Sequence, residues 1–264
     1  MTAPLFVPDR DGFEAAPMTR GPWDPRMMHG GAPSALLARA IEAVEPGADL
    51  VVTRLTIDFL GGVPLGRVAV AARVVRPGRR FALVDATLTA DGAGRDACLA
   101  RAVRIRRADL PAAAATPATP VVPLPRPEEG IELPSWVPED GLEYFYPAAC
   151  EIRHVAGEFG SGVVAAWIRL RGPVVAGEDP SPLSRVAAAA DYANGLSWIH
   201  PWSAWLFINT ELTIHLHREA EGEWIGLAAR TASCGGGFAL ATGTLHDLRG
   251  PIGVCAQSLF VAPR

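Results

Sequence analysis

The sequence predicts an α+β chain of two like halves, each a long helix wrapped by a curved antiparallel sheet. Three observations carry that expectation: an ordered internal repeat, an apolar helical stripe followed by alternating strands in each copy, and a Pro- and Ala-rich stretch between the copies. With 264 residues, 49% hydrophobic and 20% charged, the chain is long enough to bury such a core.

The repeat is short but ordered. Leu55-Thr56-Ile57-Asp58-Phe59, Ala71-Ala72-Arg73, Phe81-Ala82-Leu83 and Thr87-Leu88 in the first half match Leu212-Thr213-Ile214-His215-Leu216, Ala228-Ala229-Arg230, Phe238-Ala239-Leu240 and Thr244-Leu245 in the second. These pairs keep the offset of 157 that separates Leu55 from Leu212, and Gly66 and Gly222 drift by one, as an insertion in a turn would cause.

In the first copy a helix from about Gly30 to Val44 presents Leu36, Leu37, Ala40, Ile41 and Val44 as its buried stripe. In the second, Ser181 is the expected N-cap and Pro182 the first helical residue, where a missing N–H costs nothing. Its apolar face runs through Leu183, Ala187, Ala190, Asp191 and Asn194. Alternation marks strands at Leu55, Ile57 and Phe59, at Leu212, Ile214 and Leu216, and at Cys255, Leu259 and Val261. A helix followed by an antiparallel meander buries its stripe against the sheet that curls round it, which is the hotdog arrangement. The expected organisation is therefore a tandem hotdog: residues 1–107, a Pro/Ala-rich linker at 108–142 where neither period survives, and residues 143–264.

A net charge of −4 and a pI near 5.9 provide no positive field for nucleic acid. Cys98, Cys150, Cys234 and Cys255 are scattered without a CxxC pair, which suits small buried hydrophobes in a reducing compartment. No stretch matches a membrane helix or a leader, so a cytoplasmic location is expected. His215 and His217 alternate on one strand face, but no third ligand lies near them, and no metal is expected. Arginines 76, 79, 80, 101, 104, 106 and 107 read as a solvated face.

Two polar residues fall where the core should be. Asp191 lies on the apolar helix stripe: either partners hold it and it works as a base, or it sits partly exposed at the helix end and pairs with an arginine. Gln257 shares its strand face with Cys255, Leu259 and Val261, as a functional group or as a satisfied core amide. Arg101 stands at about the equivalent position of the first half, so an inward polar position is expected in both copies.

The second half, with AADYANGLSW, INTELTIHLHR, GEWIGLAAR and CAQSLF, resembles the C-terminal domain of TesB-like acyl-CoA thioesterases. HGGAPSALLARA followed by RLTIDFLGGVPLG resembles the N-terminal hotdog of the same family. There an Asp on the central helix, a Thr or Ser opening the next strand and a Gln on the last strand orient the attacking water. The resemblance implies Asp191 and Gln257 for the first and last. For the middle member the ungapped count back from His217-Arg218 selects Asn209, with Thr210 as the alternative. A slip of one residue turns a side chain to the other face of the sheet, so one of these two faces the site.

The implied reaction is hydrolysis of an acyl-CoA or related thioester, with no cofactor and with the acyl chain between the halves. Asp191 is the general base, Asn209 or Thr210 and Gln257 position the water, and the helix opening His29-Gly30-Gly31 offers free N–H groups to the carbonyl oxygen. The Gly-Gly pair equally suits a helix packed tightly on its sheet. The alternative function is a non-catalytic acyl- or CoA-binding protein of the same architecture. Gly177-Glu178-Asp179-Pro180-Ser181-Pro182-Leu183 is similar to an element of hotdog hydratases, but Ser184 stands where their His would be, and the segment reads as a loop and helix cap. Sheet edges and a face needing cover suggest a homo-oligomer.

Overall fold

The computed structural model describes residues 3–44, 49–91, 95–108, 123–134 and 137–264. The first half contains β1 (Phe6–Asp9), β2 (Gly12–Ala15), α1 (Gly31–Ala43), β3 (Leu50–Phe59), β4 (Arg67–Arg76), β5 (Phe81–Ala90) and β6 (Asp96–Arg106). The second contains β7 (Ile131–Glu132), β8 (Cys150–Glu158), β9 (Val163–Leu170), α2 (Pro182–Ala190), α3 (Ala193–Leu196), β10 (Trp205–Asn209), β11 (Glu211–Leu216), β12 (Ile225–Ser233), β13 (Phe238–Asp247) and β14 (Gly250–Pro263).

The strands form one sheet in the order β1-β2-β4-β5-β6-β3-β11-β14-β13-β12-β9-β8-β7, with β10 also paired to β14. The seam is the antiparallel pair β3–β11, where Leu55 faces Ile214 and Ile57 faces Leu212. Outward from it the halves read alike: β3, β6, β5, β4, β2, β1 on one side and β11, β14, β13, β12, β9, β8 on the other. The repeat is visible in detail, since β5 and β13 begin and end 157 residues apart. So is a bulge. β3 shifts register at Thr53, and the strand made by β10 and β11 breaks at Thr210, the matching position.

Both helices pack on the inner face. Leu36, Leu37 and Ile41 of α1 and Leu183, Val186 and Ala187 of α2 are buried together with Leu55, Ile57, Leu212, Ile214 and Leu259 of the sheet. Each such Leu or Ile contributes about 1.5–3 kcal/mol over leaving it in water. The helices approach through small residues: Ser184 Oγ donates to the Ala35 carbonyl at 3.2 Å, and a Cβ on Gly31 would meet the Ala188 carbonyl at 2.9 Å. Ser181 caps α2 as expected, its hydroxyl accepting from the Ser184 N–H at 3.0 Å. Arg104 is buried rather than part of the expected solvated face, and its guanidinium closes the C-terminal end of α1 by donating to the Val44 carbonyl at 2.9 Å.

Several expectations need correction. Arg101 is exposed on the outer face, donating to Asp85 at 2.7 and 2.9 Å. Gln257 pairs with Ala241, and Val84, the counterpart of Ala241 in the first half, pairs with Ala102. The first copy therefore carries a buried alanine where the second carries an amide, and the inward polar position is not repeated. The second helix stops at Ala190 and resumes as α3, so Asp191 stands at a break rather than on a continuous stripe. Cys234 is exposed, unlike the other three cysteines. Of the stretch read as a linker, 109–122 and 135–136 lie outside the described residues, while Ile131–Glu132 pairs with β8 and the Pro125 carbonyl accepts from Trp167 Nε1 at 2.7 Å. Among the described residues no helix is long and apolar enough to cross a membrane.

Candidate active site

The break after α2 is made by Gln257. In an unbroken helix the Asn194 N–H would bond the carbonyl four residues back; here it donates to Gln257 Oε1 at 3.0 Å instead. Gln257 Nε2 donates to the Asp191 carbonyl at 3.3 Å and to its carboxylate Oδ1 at 3.4 Å. The amide is wholly buried, so it fixes both the helix break and the carboxylate at that break.

The bulge at Thr210 decides the neighbouring position. Leu212 and Ile214 face inward on β11; the extra residue shifts the alternation, so that Phe207 and Asn209 face inward on β10. Asn209 Nδ2 donates to Asp191 Oδ1 at 2.9 Å. Thr210 is exposed, and its hydroxyl donates to the Ser258 carbonyl at 3.2 Å.

The first half brings the third contact. His29 Nδ1 lies 3.1 Å from Asp191 Oδ2. The imidazole packs against Phe145, at 4.8 Å and 22°, and Tyr192, at 4.6 Å and 37°, two rings that also stack on each other at 6.0 Å. Gly30 packs directly on the carboxylate. Of the three N–H groups in His29-Gly30-Gly31, two are engaged: His29 donates to the Thr19 carbonyl at 2.8 Å and Gly31 to His29 Nδ1 at 3.0 Å. The Gly30 N–H has no partner among the described residues.

Asp191 is only 4% exposed, and it opens on a cavity of about 570 Å³ between the halves. His29, Gly30, Asn194, Asn209 and Thr210 share its lining; Gln257 stands behind. The remaining wall is largely apolar, with Trp23, Met27, Phe59, Trp202, Ile208 and Phe260. Trp23 stacks on Trp202 at 4.3 Å. Beneath the carboxylate, burial and the nearby Asp191 charge push the Cys98 and Cys255 thiols up to about 12, so neither is a ready nucleophile.

Of the residues singled out in the sequence, the structure brings Asp191, Asn209, Gln257 and the His29-Gly30-Gly31 element together around one carboxylate, and turns the Thr210 hydroxyl to the Ser258 carbonyl instead. Sequence reasoning missed Asn194, Phe145, Tyr192 and the two tryptophans as parts of the site. Asn194 and Tyr192 lie within the AADYANGLSW motif, whereas nothing local marks Trp23 or Phe145. His215 and His217 are both exposed.

No curated protein matches the chain. A provisionally assigned thioesterase of Novosphingobium aromaticivorans superposes with a TM-score of 0.76 at 23% identity, over 98% of this chain and 99% of that one. A hot dog protein of unknown function from Alicyclobacillus acidocaldarius gives 0.73 at 16%, over 98% and 95%. An acyl-CoA thioesterase II from Mycobacterium marinum gives 0.63 at 17%, over 94% and 96%. At these identities the likeness concerns the fold, which is the hotdog. Residues 19–106 match the acyl-CoA thioesterase N-terminal domain and residues 109–261 the acyl-CoA thioesterase C-terminal domain. Matched in both halves and in that order, the chain belongs to the acyl-CoA thioesterase family of thioester hydrolases.

Proposed function

We propose that this protein hydrolyses acyl-CoA to a free acid and CoA, with Asp191 drawing the proton from the attacking water. The observation that carries the proposal is a nearly buried carboxylate, held by Asn209 and Gln257, on the wall of a largely apolar cavity. A thioester is already an activated acyl group, so the site needs only a base, a positioned water and a donor to the carbonyl oxygen. Asp191 supplies the first and Asn209, which lines the cavity, helps with the second. Gln257 acts through Asp191 by fixing its carboxylate. The unpartnered Gly30 N–H at the start of α1 is the donor, aided by the positive end of the helix. As the water oxygen bonds the acyl carbon, its proton moves to the base; the C–S bond then breaks and CoA leaves as thiolate. The acyl group lies against Trp23, Phe59, Trp202 and Phe260. In this reading the halves are tandem hotdogs, supported by the matching strand order on either side of the β3–β11 seam.

The test is free-thiol release from a panel of acyl-CoAs. Wild type turns over at least one of them, and Asp191→Asn lowers kcat by about 10²–10⁴-fold, the usual worth of a general base. Activity retained in that variant removes Asp191 as base. No turnover on any chain length, with thermal stabilisation by ligand, selects a binding protein instead.

A further inference from the structure

We infer that Trp202 ends the acyl site: its indole is the partition that sets the longest straight-chain acyl-CoA the cavity accepts. This names the specificity determinant of the hydrolytic site proposed above and rests on that reading.

A second, much smaller cavity of about 20 Å³ adjoins the first. Pro22, His29, Gly195 and Trp202 line both, so these four residues form the wall between them. Trp202 is the largest side chain in that wall, and it is firmly held. It stacks on Trp23 at 4.3 Å and 21° and meets Phe207 edge-on at 4.6 Å and 71°, while Trp23 meets the same Phe207 at 4.9 Å. Phe207 is buried, and its carbonyl accepts from Asn194 Nδ2 at 3.0 Å. The turn that carries Trp202 is closed by the Ala204 and Trp205 N–H groups, which both donate to the Pro201 carbonyl at 3.1 Å. Rings packed on one another over a fixed turn make a wall rather than a flap.

The small cavity is suited to hydrocarbon. The Tyr144 hydroxyl donates to Asp140 at 2.7 Å, the Tyr146 hydroxyl to the Leu133 carbonyl, and the Arg20 guanidinium to the Pro25 and Glu143 carbonyls, each at 2.7 Å. With these polar ends engaged elsewhere, the residues and Val137 offer the cavity chiefly ring faces and alkyl groups.

Leu60, Gly61 and Gly62, which also line the large cavity, are exposed, so CoA lies at that rim and the acyl tail runs inward past Asp191 to Trp202. A tail that meets a fixed wall is selected by length, because one methylene with or without room in an apolar pocket changes kcat/KM by about 10–200-fold. The small cavity has room for about one water-sized group. The length gained by removing the indole therefore comes mainly from the indole's own place, joined to the space behind it.

The test is kcat/KM, by thiol release, over a homologous series of saturated straight-chain acyl-CoAs. Wild type shows a longest accepted chain, beyond which kcat/KM falls by about tenfold or more. In Trp202→Ala that limit moves to chains longer by about two carbons or more, while shorter chains stay within about tenfold of wild type. Gly195→Leu fills the same wall from α3, where an added Cβ meets nothing within 4 Å, and moves the limit to shorter chains. Trp202→Leu, with the same expected direction, serves if Trp202→Ala does not fold. A limit that stays in place in either folded variant, or a loss equal at every length, overturns the partition. If no thioester is turned over, the hydrolytic reading fails, and the limit is read instead from acyl-CoA binding by calorimetry: a limit that lengthens in the Trp202 variant leaves the partition standing, and one that does not overturns it.

Discussion

A methyl group on Gly30 would meet both carboxylate oxygens of Asp191, at 2.8 and 2.9 Å. Asn209 donates to one of those oxygens and His29 Nδ1 lies 3.1 Å from the other, so the carboxylate has little room to yield. Gly30→Ala is therefore expected to lower kcat by about tenfold or more and to cost about 1–3 kcal/mol of stability. Gly195 lines the same cavity with nothing within 4 Å of its added Cβ, so Gly195→Ala should leave the chemical denaturation midpoint unchanged. Equal losses in the two variants would refute this account of Gly30. At this scale the sequence was informative about which residues are unusual. A carboxylate on an apolar stripe and an amide on an apolar strand face were legible as Asp191 and Gln257. The close approach of His29 to Asp191 was not, because the two residues are remote in sequence. Two of the three N–H groups expected to be free are in use, one of them by that imidazole.

The elements that place these residues are both irregular. The bulge at Thr210 turns Asn209 inward, so Asn209→Ala should lower kcat by about 10–100-fold while Thr210→Ala stays within about twofold; the reverse order, measured by thiol release, would mean that the strand carries the other register. The matching bulge at Thr53 falls inside the repeat but leaves no mark in composition, so the sequence alone kept both residues open. The helix break shows a tertiary bond overriding local preference. Alanines 187–190 favour helix strongly, and no Gly or Pro at 191 or 192 signals a stop. The interruption comes from Gln257, which replaces a backbone acceptor from another element. Gln257→Leu leaves the buried Asn194 N–H unpaired and should cost about 1–3 kcal/mol in urea unfolding; no loss would show that the amide does not hold the break.

Across the whole molecule the repeat was the most legible feature, because the 157-residue offset survives in strand ranges and in the order of pairing about the β3–β11 seam. The sequence could not show that the seam joins both halves into one sheet, since edge pairing depends on backbone groups that every residue has. Acid sensitivity also belongs to this scale. Asp247 ends β13 buried: burial raises its carboxyl, but Arg218 and the N–H groups of Glu221 and Arg249 outweigh this and hold it below the ordinary 3.8. Its contribution is complete above the unfolded value and disappears as pH falls through the depressed one. Burial also lowers His246 from the ordinary 6.5, so its share is lost on acidification too, beginning nearer neutrality. The thermal unfolding midpoint should therefore fall from pH 7 to 3, with Asp247→Asn flattening the part below about pH 4. A midpoint that rises on acidification would contradict this.

The central claim is that the thioester meets water at Asp191. A crystal structure of Asp191→Asn soaked with an acyl-CoA that wild type hydrolyses tests it most directly. The account predicts the thioester carbon in the cavity between the halves, its oxygen within about 3.2 Å of the Gly30 N–H and the acyl group against Trp23 and Trp202. A thioester bound on the outer face of the sheet, or in the cavity with its carbonyl turned away from residue 191, would contradict it.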